Sequence, residues 1–189
     1  MDEKVIDLNA LFDQATAYHY TAKVTRLREQ MLSPDNGTED TTPQGLPLLL
    51  IDRPWIRDLT YVSGTLAAFA AELYLKGFCM LHGIKPRRTH NLLELFSGLP
   101  EHVQNAIAEL NQTPVKFGDI LEYAQLNFVE LRYMRMDPDK GFTLFAEMLT
   151  GPLHDYLLQQ IPLRPERFHF ADRLLPAETE WITDVKRYF

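Results

Sequence analysis

Between Glu72 and Pro100 the chain reads ELYLKGFCMLHGIKPRRTHNLLELFSGLP. Its corner, Lys85-Pro86-Arg87-Arg88-Thr89-His90, concentrates positive charge and an imidazole in a chain of formal net charge −7. Two guanidiniums, an ammonium and an imidazole ahead of a helix suit a phosphate, because their charges add to the exposed backbone donors of a helix start. The plainer reading makes Lys85, Arg87 and Arg88 solvated hinge residues and His90 a structural hydrogen-bond partner. Glu72 and Lys76 stand four apart, the spacing at which unlike charges meet on a helix. Glu72 sits in an apolar stretch, so its carboxylate is expected to be half-buried and to orient His90 or pair with an arginine. Arg132, on a later helix, is placed to reach across a bundle to it. The expected site therefore joins Glu72, His90 and Arg132, with Lys85, Arg87 and Arg88 holding a phosphate. The competing reading leaves Arg132 on the surface.

Other chemistries find less support. His19, His82 or His90, and His154 fall on three different helical stretches, an arrangement from which helical hydrolases build metal sites. There is, however, no HxxxH pair and no HExxH, so neither metal nor cofactor is expected. Cys79, within Phe78-Cys79-Met80-Leu81, reads as a small buried apolar residue. Ser63-Gly64 lacks the GxSxG elbow, and no Gly-rich phosphate loop is present.

The elements that must position these residues follow from composition and punctuation. A length of 189 residues, 46% apolar and 24% charged, fits one globular domain with a full core. The acidic balance argues against a protein that coats nucleic acid, though not against a local basic groove. A single cysteine excludes an intramolecular disulfide and suits a reducing cytosol. The start, MDEKVIDLNALFDQ, has no basic-then-apolar leader, and charges interrupt every apolar run, so a cytoplasmic protein without a membrane segment is expected.

Apolar spacing predicts helices over 8–32, 55–82, 101–111, 119–136 and 140–160, with a short one between Thr89, its expected N-cap, and Ser97. Pro54 is expected to open the long helix and Gly83 to stop it. Gly151-Pro152 is expected to bend or interrupt the sixth helix. SPDNGTEDTTPQG (33–45) reads as a loop, and Leu46–Ile51 as an extended segment lying on the bundle. The class is all-α: an up-and-down bundle over 1–161 with the loop 33–54 inserted, followed by a Pro-containing tail, 162–189.

AELYLKG (71–77), a Gly turn, THNLLELF (89–96) and FVELRY (128–133) together resemble the HEPN superfamily over roughly residues 55–160. HEPN domains are α-helical bundles of toxin–antitoxin, phage-defence and RNA-processing systems. The resemblance implies RNA or nucleotide as ligand, a homodimer and a bacterial setting. Active members carry an arginine followed, after four to six residues, by a histidine. Here that spacing occurs only at Arg164 and His169, in the tail, so intact ribonuclease activity is not expected. If RNA is cleaved, Arg132 would stabilise the phosphate's charge and His90 would move protons. Two alternatives stand beside this: a non-enzymatic dimeric module whose tail aromatics Phe168, Phe170, Trp181 and Tyr188 dock a protein partner, and a metal-dependent hydrolase.

Overall fold

The computed structural model describes residues 7–32, 39–41, 47–49, 54–132 and 146–161, with side chains placed over 7–25, 62–125 and 148–161. Six helices and one short ladder lie among them: α1 (Leu8–Leu32), β1 (Glu39–Thr41), β2 (Pro47–Leu49), α2 (Pro54–Leu81), α3 (Leu92–Ser97), α4 (Glu101–Glu109), α5 (Phe117–Arg132) and α6 (Ala146–Gln160). The chain divides into two units, Met1–Leu157 and Leu158–Phe189. In the second, only Leu158–Ile161 are described.

The fold is all-α, built around α2. Its start and stop both follow from local chemistry. Pro54 occupies the first position, where a missing N–H costs no helical bond. At the other end Gly83 adopts φ +70°. The Gly83 N–H reaches the Met80 carbonyl at 3.0 Å, and the Ile84 N–H reaches that of Cys79 at 2.7 Å. That pair of bonds is a Schellman stop, which caps the last carbonyls and turns the chain into the basic corner.

Asp7 starts α1 by accepting the Asn9 N–H at 2.9 Å. The helix buries Phe12, Ala15, Thr16, His19 and Ala22. These recur at three- and four-residue steps and form the stripe that meets α2. On α2, Ala67, Ala68, Ala70, Ala71, Tyr74, Leu75, Phe78 and Cys79 are buried. Burial raises the Cys79 thiol pKa, keeping it protonated and unreactive. The stretch Val62–Leu81 is long and apolar enough to cross a membrane by length and composition, but 56% of it is buried inside the fold. α2 also contacts α3 and α5, which contact each other. Phe96 and Phe117 join those two at 5.4 Å, edge to face.

Several expectations are corrected. Asn91, not Thr89, caps α3: its Oδ1 accepts the Glu94 N–H at 2.9 Å, while the Thr89 hydroxyl accepts the Asn91 N–H at 3.0 Å. α3 thus begins at Leu92, later than a threonine cap would require. Residues 39–41 and 47–49, read as loop and extended segment, pair antiparallel with Glu39 opposite Leu49 and Thr41 opposite Pro47. The proline sits at the strand end, where a missing donor is tolerated. α6 continues through Gly151-Pro152 without interruption. The proline removes one N–H from the ladder, while the burial of Leu149, Leu153, Tyr156 and Leu157 holds the remainder in place. Val62 of α2 is 49% exposed. The tail 162–189 and residues 133–145 lie outside the described residues.

At Gly77 the backbone of α2 lies against a ring of α1. A Cβ there would lie 2.5 Å and 2.8 Å from Cε1 and Cζ of Phe12. Phe12 is itself buried and packs on Phe78 at 5.5 Å, so its ring has little room to yield. Gly77→Ala gains about 1 kcal/mol of helix propensity but overpacks the contact at a cost of about 1–3 kcal/mol. Urea unfolding is expected to show a less stable variant, and the same change in a Phe12→Leu background is expected to cost less or to stabilise.

Candidate functional site

The corner after α2 brings two of the expected site residues together. Glu72 lies one helical turn before Lys76 on α2 and is only 6% exposed. Its Oε1 accepts from Lys76 Nζ at 2.6 Å. The imidazole of His90, just ahead of α3, meets the same carboxylate: Nδ1 lies 2.9 Å from Oε1 and 3.0 Å from Oε2. An ionised carboxylate only accepts, so the neutral ring must carry its proton on Nδ1. Nε2 is then the bare nitrogen, on a side chain that is 58% exposed. The chemical result is an imidazole with one edge fixed by a buried acid and the other free to take or give a proton at the surface.

The Schellman stop makes this possible. It ends α2 within two turns of Lys76 and sends the chain back along the helix, so that residue 90 meets residue 72. Two further bonds fix α3 behind it. Gln125 of α5 accepts the Leu92 N–H at 2.7 Å, and Asn91 accepts that of Glu94. The donors at this helix start are therefore largely taken by the protein. A phosphate here would be held by side chains rather than by the helix dipole assumed from sequence.

The basic residues divide. Arg87 Nη1 lies 2.9 Å from Glu94 Oε1, with both side chains substantially exposed. The Arg87 hydrogen bond is the main cause holding the Glu94 carboxyl below its ordinary pKa, with the Thr89 hydroxyl adding to it. Lys85 and Arg88 are exposed. Arg132 is the last residue of α5, and its side chain, like all of Arg164 and His169, lies outside the described residues. The partner that spacing did predict, Lys76, is the cation seen on Glu72. Gln125 was missed, because a single glutamine in a helix carries no signal of what it caps.

The histidines weighed as metal ligands do not converge. His19 and His154 stack with centroids 4.6 Å apart and planes 18° from parallel. Nearly parallel rings direct their lone pairs side by side rather than to one point. His82 Nε2 instead meets the Tyr156 hydroxyl at 3.1 Å. Among the described residues, no three metal-ligating side chains cluster.

The chain is similar to the HEPN domain family over residues 57–145. No curated protein and no solved structure matches the chain.

Proposed function

We propose, starting from the similarity of residues 57–145 to the HEPN domain family, that the chain binds RNA or a nucleotide through phosphate at the corner between α2 and α3. The observation that carries this reading is the Glu72–His90 contact, which turns Nε2 of an exposed imidazole outward from a basic corner. Lys76 already balances Glu72. A proton on His90 therefore leaves the cluster with one net positive charge, next to Lys85, Arg87 and Arg88. Phosphate contacts of this kind strengthen as salt is lowered.

The setting proposed is bacterial toxin–antitoxin or defence, in the cytoplasm and as a homodimer. Binding is the role assigned, without ribonuclease chemistry of the paired Arg–His type, since that spacing is confined to Arg164 and His169. The aromatics of the protein-docking alternative, Phe168, Phe170, Trp181 and Tyr188, lie outside the described residues.

Fluorescence anisotropy with a labelled single-stranded RNA tests the proposal. Arg87→Ala/Arg88→Ala is expected to weaken binding about tenfold or more and to reduce the salt slope by about 1 for each phosphate no longer neutralised. The RNA is expected to stay intact throughout. Parent protein that fails to bind RNA or nucleotide at low salt, or a double variant that binds as the parent does, overturns the assignment.

A further inference from the structure

A second polar cluster lies between α1, α2 and α6, in residues that the proposed phosphate site does not use. His19 and His154 are 5% and 6% exposed and stack on one another. His19 Nδ1 meets the Thr150 hydroxyl at 2.6 Å. His154 Nδ1 lies 3.0 Å from the Tyr74 hydroxyl, which donates onward to Thr16 Oγ1 at 3.2 Å. Since Tyr74 gives its proton to Thr16, its oxygen receives from His154, and His154 carries its proton on Nδ1. His154 Nε2 is then bare and faces the Tyr20 hydroxyl at 3.4 Å. The directions all agree when both rings are neutral.

We propose that the stacked His19–His154 pair is an acid-sensitive latch that holds α6 to α1 and α2 when neutral and releases it when protonated. Added protons disturb this arrangement. A protonated His154 would present donors to two hydroxyls, forcing Tyr20 to reverse. A protonated His19 would need a second acceptor, and Thr150 is the single hydrogen-bond partner its ring has among the described residues. Two imidazoliums would face one another across 4.6 Å in a dry contact.

The charges around the pair reinforce this. Lys23, one turn beyond His19 on α1, opposes protonation of both rings. Asp155 on α6 opposes that effect at His154 but does not outweigh burial. On α2 the facing group is Tyr74, neutral because burial raises its pKa. Burial, then His154, then Lys23 push the His19 pKa down to about 3, and burial lowers that of His154. With α6 released, both rings return to the ordinary imidazole value of about 6.5. The closed form thus binds fewer protons. Its advantage is complete above about pH 6.5 and is lost as pH falls from there toward the closed-form values. Two protons taken up on opening change the opening equilibrium by up to about 100-fold per pH unit within that window.

Hydrogen exchange of the full chain between pH 7.5 and 5, corrected for intrinsic rates, tests the latch. Amides of α6 at 149–157 are expected to lose protection at least tenfold by pH 5.5, while those of α2 at 70–79 keep theirs. His19→Phe, which retains a ring to stack but cannot titrate, is expected to reduce the α6 response from two protons to one, at most about tenfold per pH unit. Should that variant not fold, the histidine ring resonances of the parent serve instead: those of His19 and His154 are expected not to titrate near 6.5 while α6 is protected. Flat α6 protection across the range, loss of α2 and α6 together, or ordinary titration of both rings with α6 still closed would overturn it.

Discussion

Phe78→Ala is expected to lower the unfolding free energy by about 3–5 kcal/mol, the range for emptying a packed aromatic site. Phe78 is fully buried. Its ring contacts Phe12 of α1 at 5.5 Å, Tyr74 of its own helix at 6.1 Å and Tyr156 of α6 at 5.0 Å. Phe12, Tyr74 and Tyr156 sit on different helices or turns and are themselves buried, so the space is not readily refilled. The same measurement on Val62→Ala, at an exposed position of the same helix, is expected to stay within about 0.5 kcal/mol of the parent. Urea midpoints with unchanged slope check both. Equal effects at the two positions would mean that α2 is not the centre of the fold.

Glu72→Ala is expected to cost about 1–3 kcal/mol, more than an exposed ion pair would. The carboxylate is buried and satisfied by two donors, and its removal leaves both of them reaching into a small cavity. Lys76 is 23% exposed and His90 58%, so each can recover water, which keeps the cost below that of a fully buried pair. A double-mutant cycle with Lys76→Ala isolates that contact and is expected to give a coupling of about 0.5–1 kcal/mol. No loss of stability in Glu72→Ala would show that the acid is solvated rather than built into the corner.

What can be read in advance depends on how local its cause is. The six helices and the stop at Gly83 follow from apolar periodicity and from single residues whose backbone preferences act within one turn. The Glu72–Lys76 contact is legible for the same reason, four residues being about one helical turn. Glu72 and His90 can be paired in expectation because the turn at Gly83 folds the chain back on itself. Elsewhere the decisive partners are distant in sequence. Gln125 finds the Leu92 N–H across 33 residues, and Thr150 finds His19 across 131. Types and spacings carry no trace of such pairs, so in the sequence His19 and His154 resemble scattered metal ligands. The misplaced N-cap is of another kind. Thr89 and Asn91 are both good caps, and the choice turns on the extended backbone at Asn91, φ −75° and ψ 109°.

The arrangement also bears on how an acidic chain would offer the proposed place to phosphate. Of the carboxylates described at the corner, Glu72 is buried and matched by Lys76, and Glu94 is tied to Arg87. His90 and Arg88 are exposed there. Whether that corner receives a phosphate depends above all on which edge of His90 is free.

Long-range proton–nitrogen correlation of the His90 ring, with and without a short RNA oligonucleotide, measures this directly. The expected spectrum at neutral pH shows the proton on Nδ1, an Nε2 that is bare in the free protein and gains a proton to donate to phosphate as RNA is added, and loss of the tautomer preference in Glu72→Gln. A ring protonated on Nε2 in the free parent, or a bare Nε2 indifferent to RNA, would contradict the account.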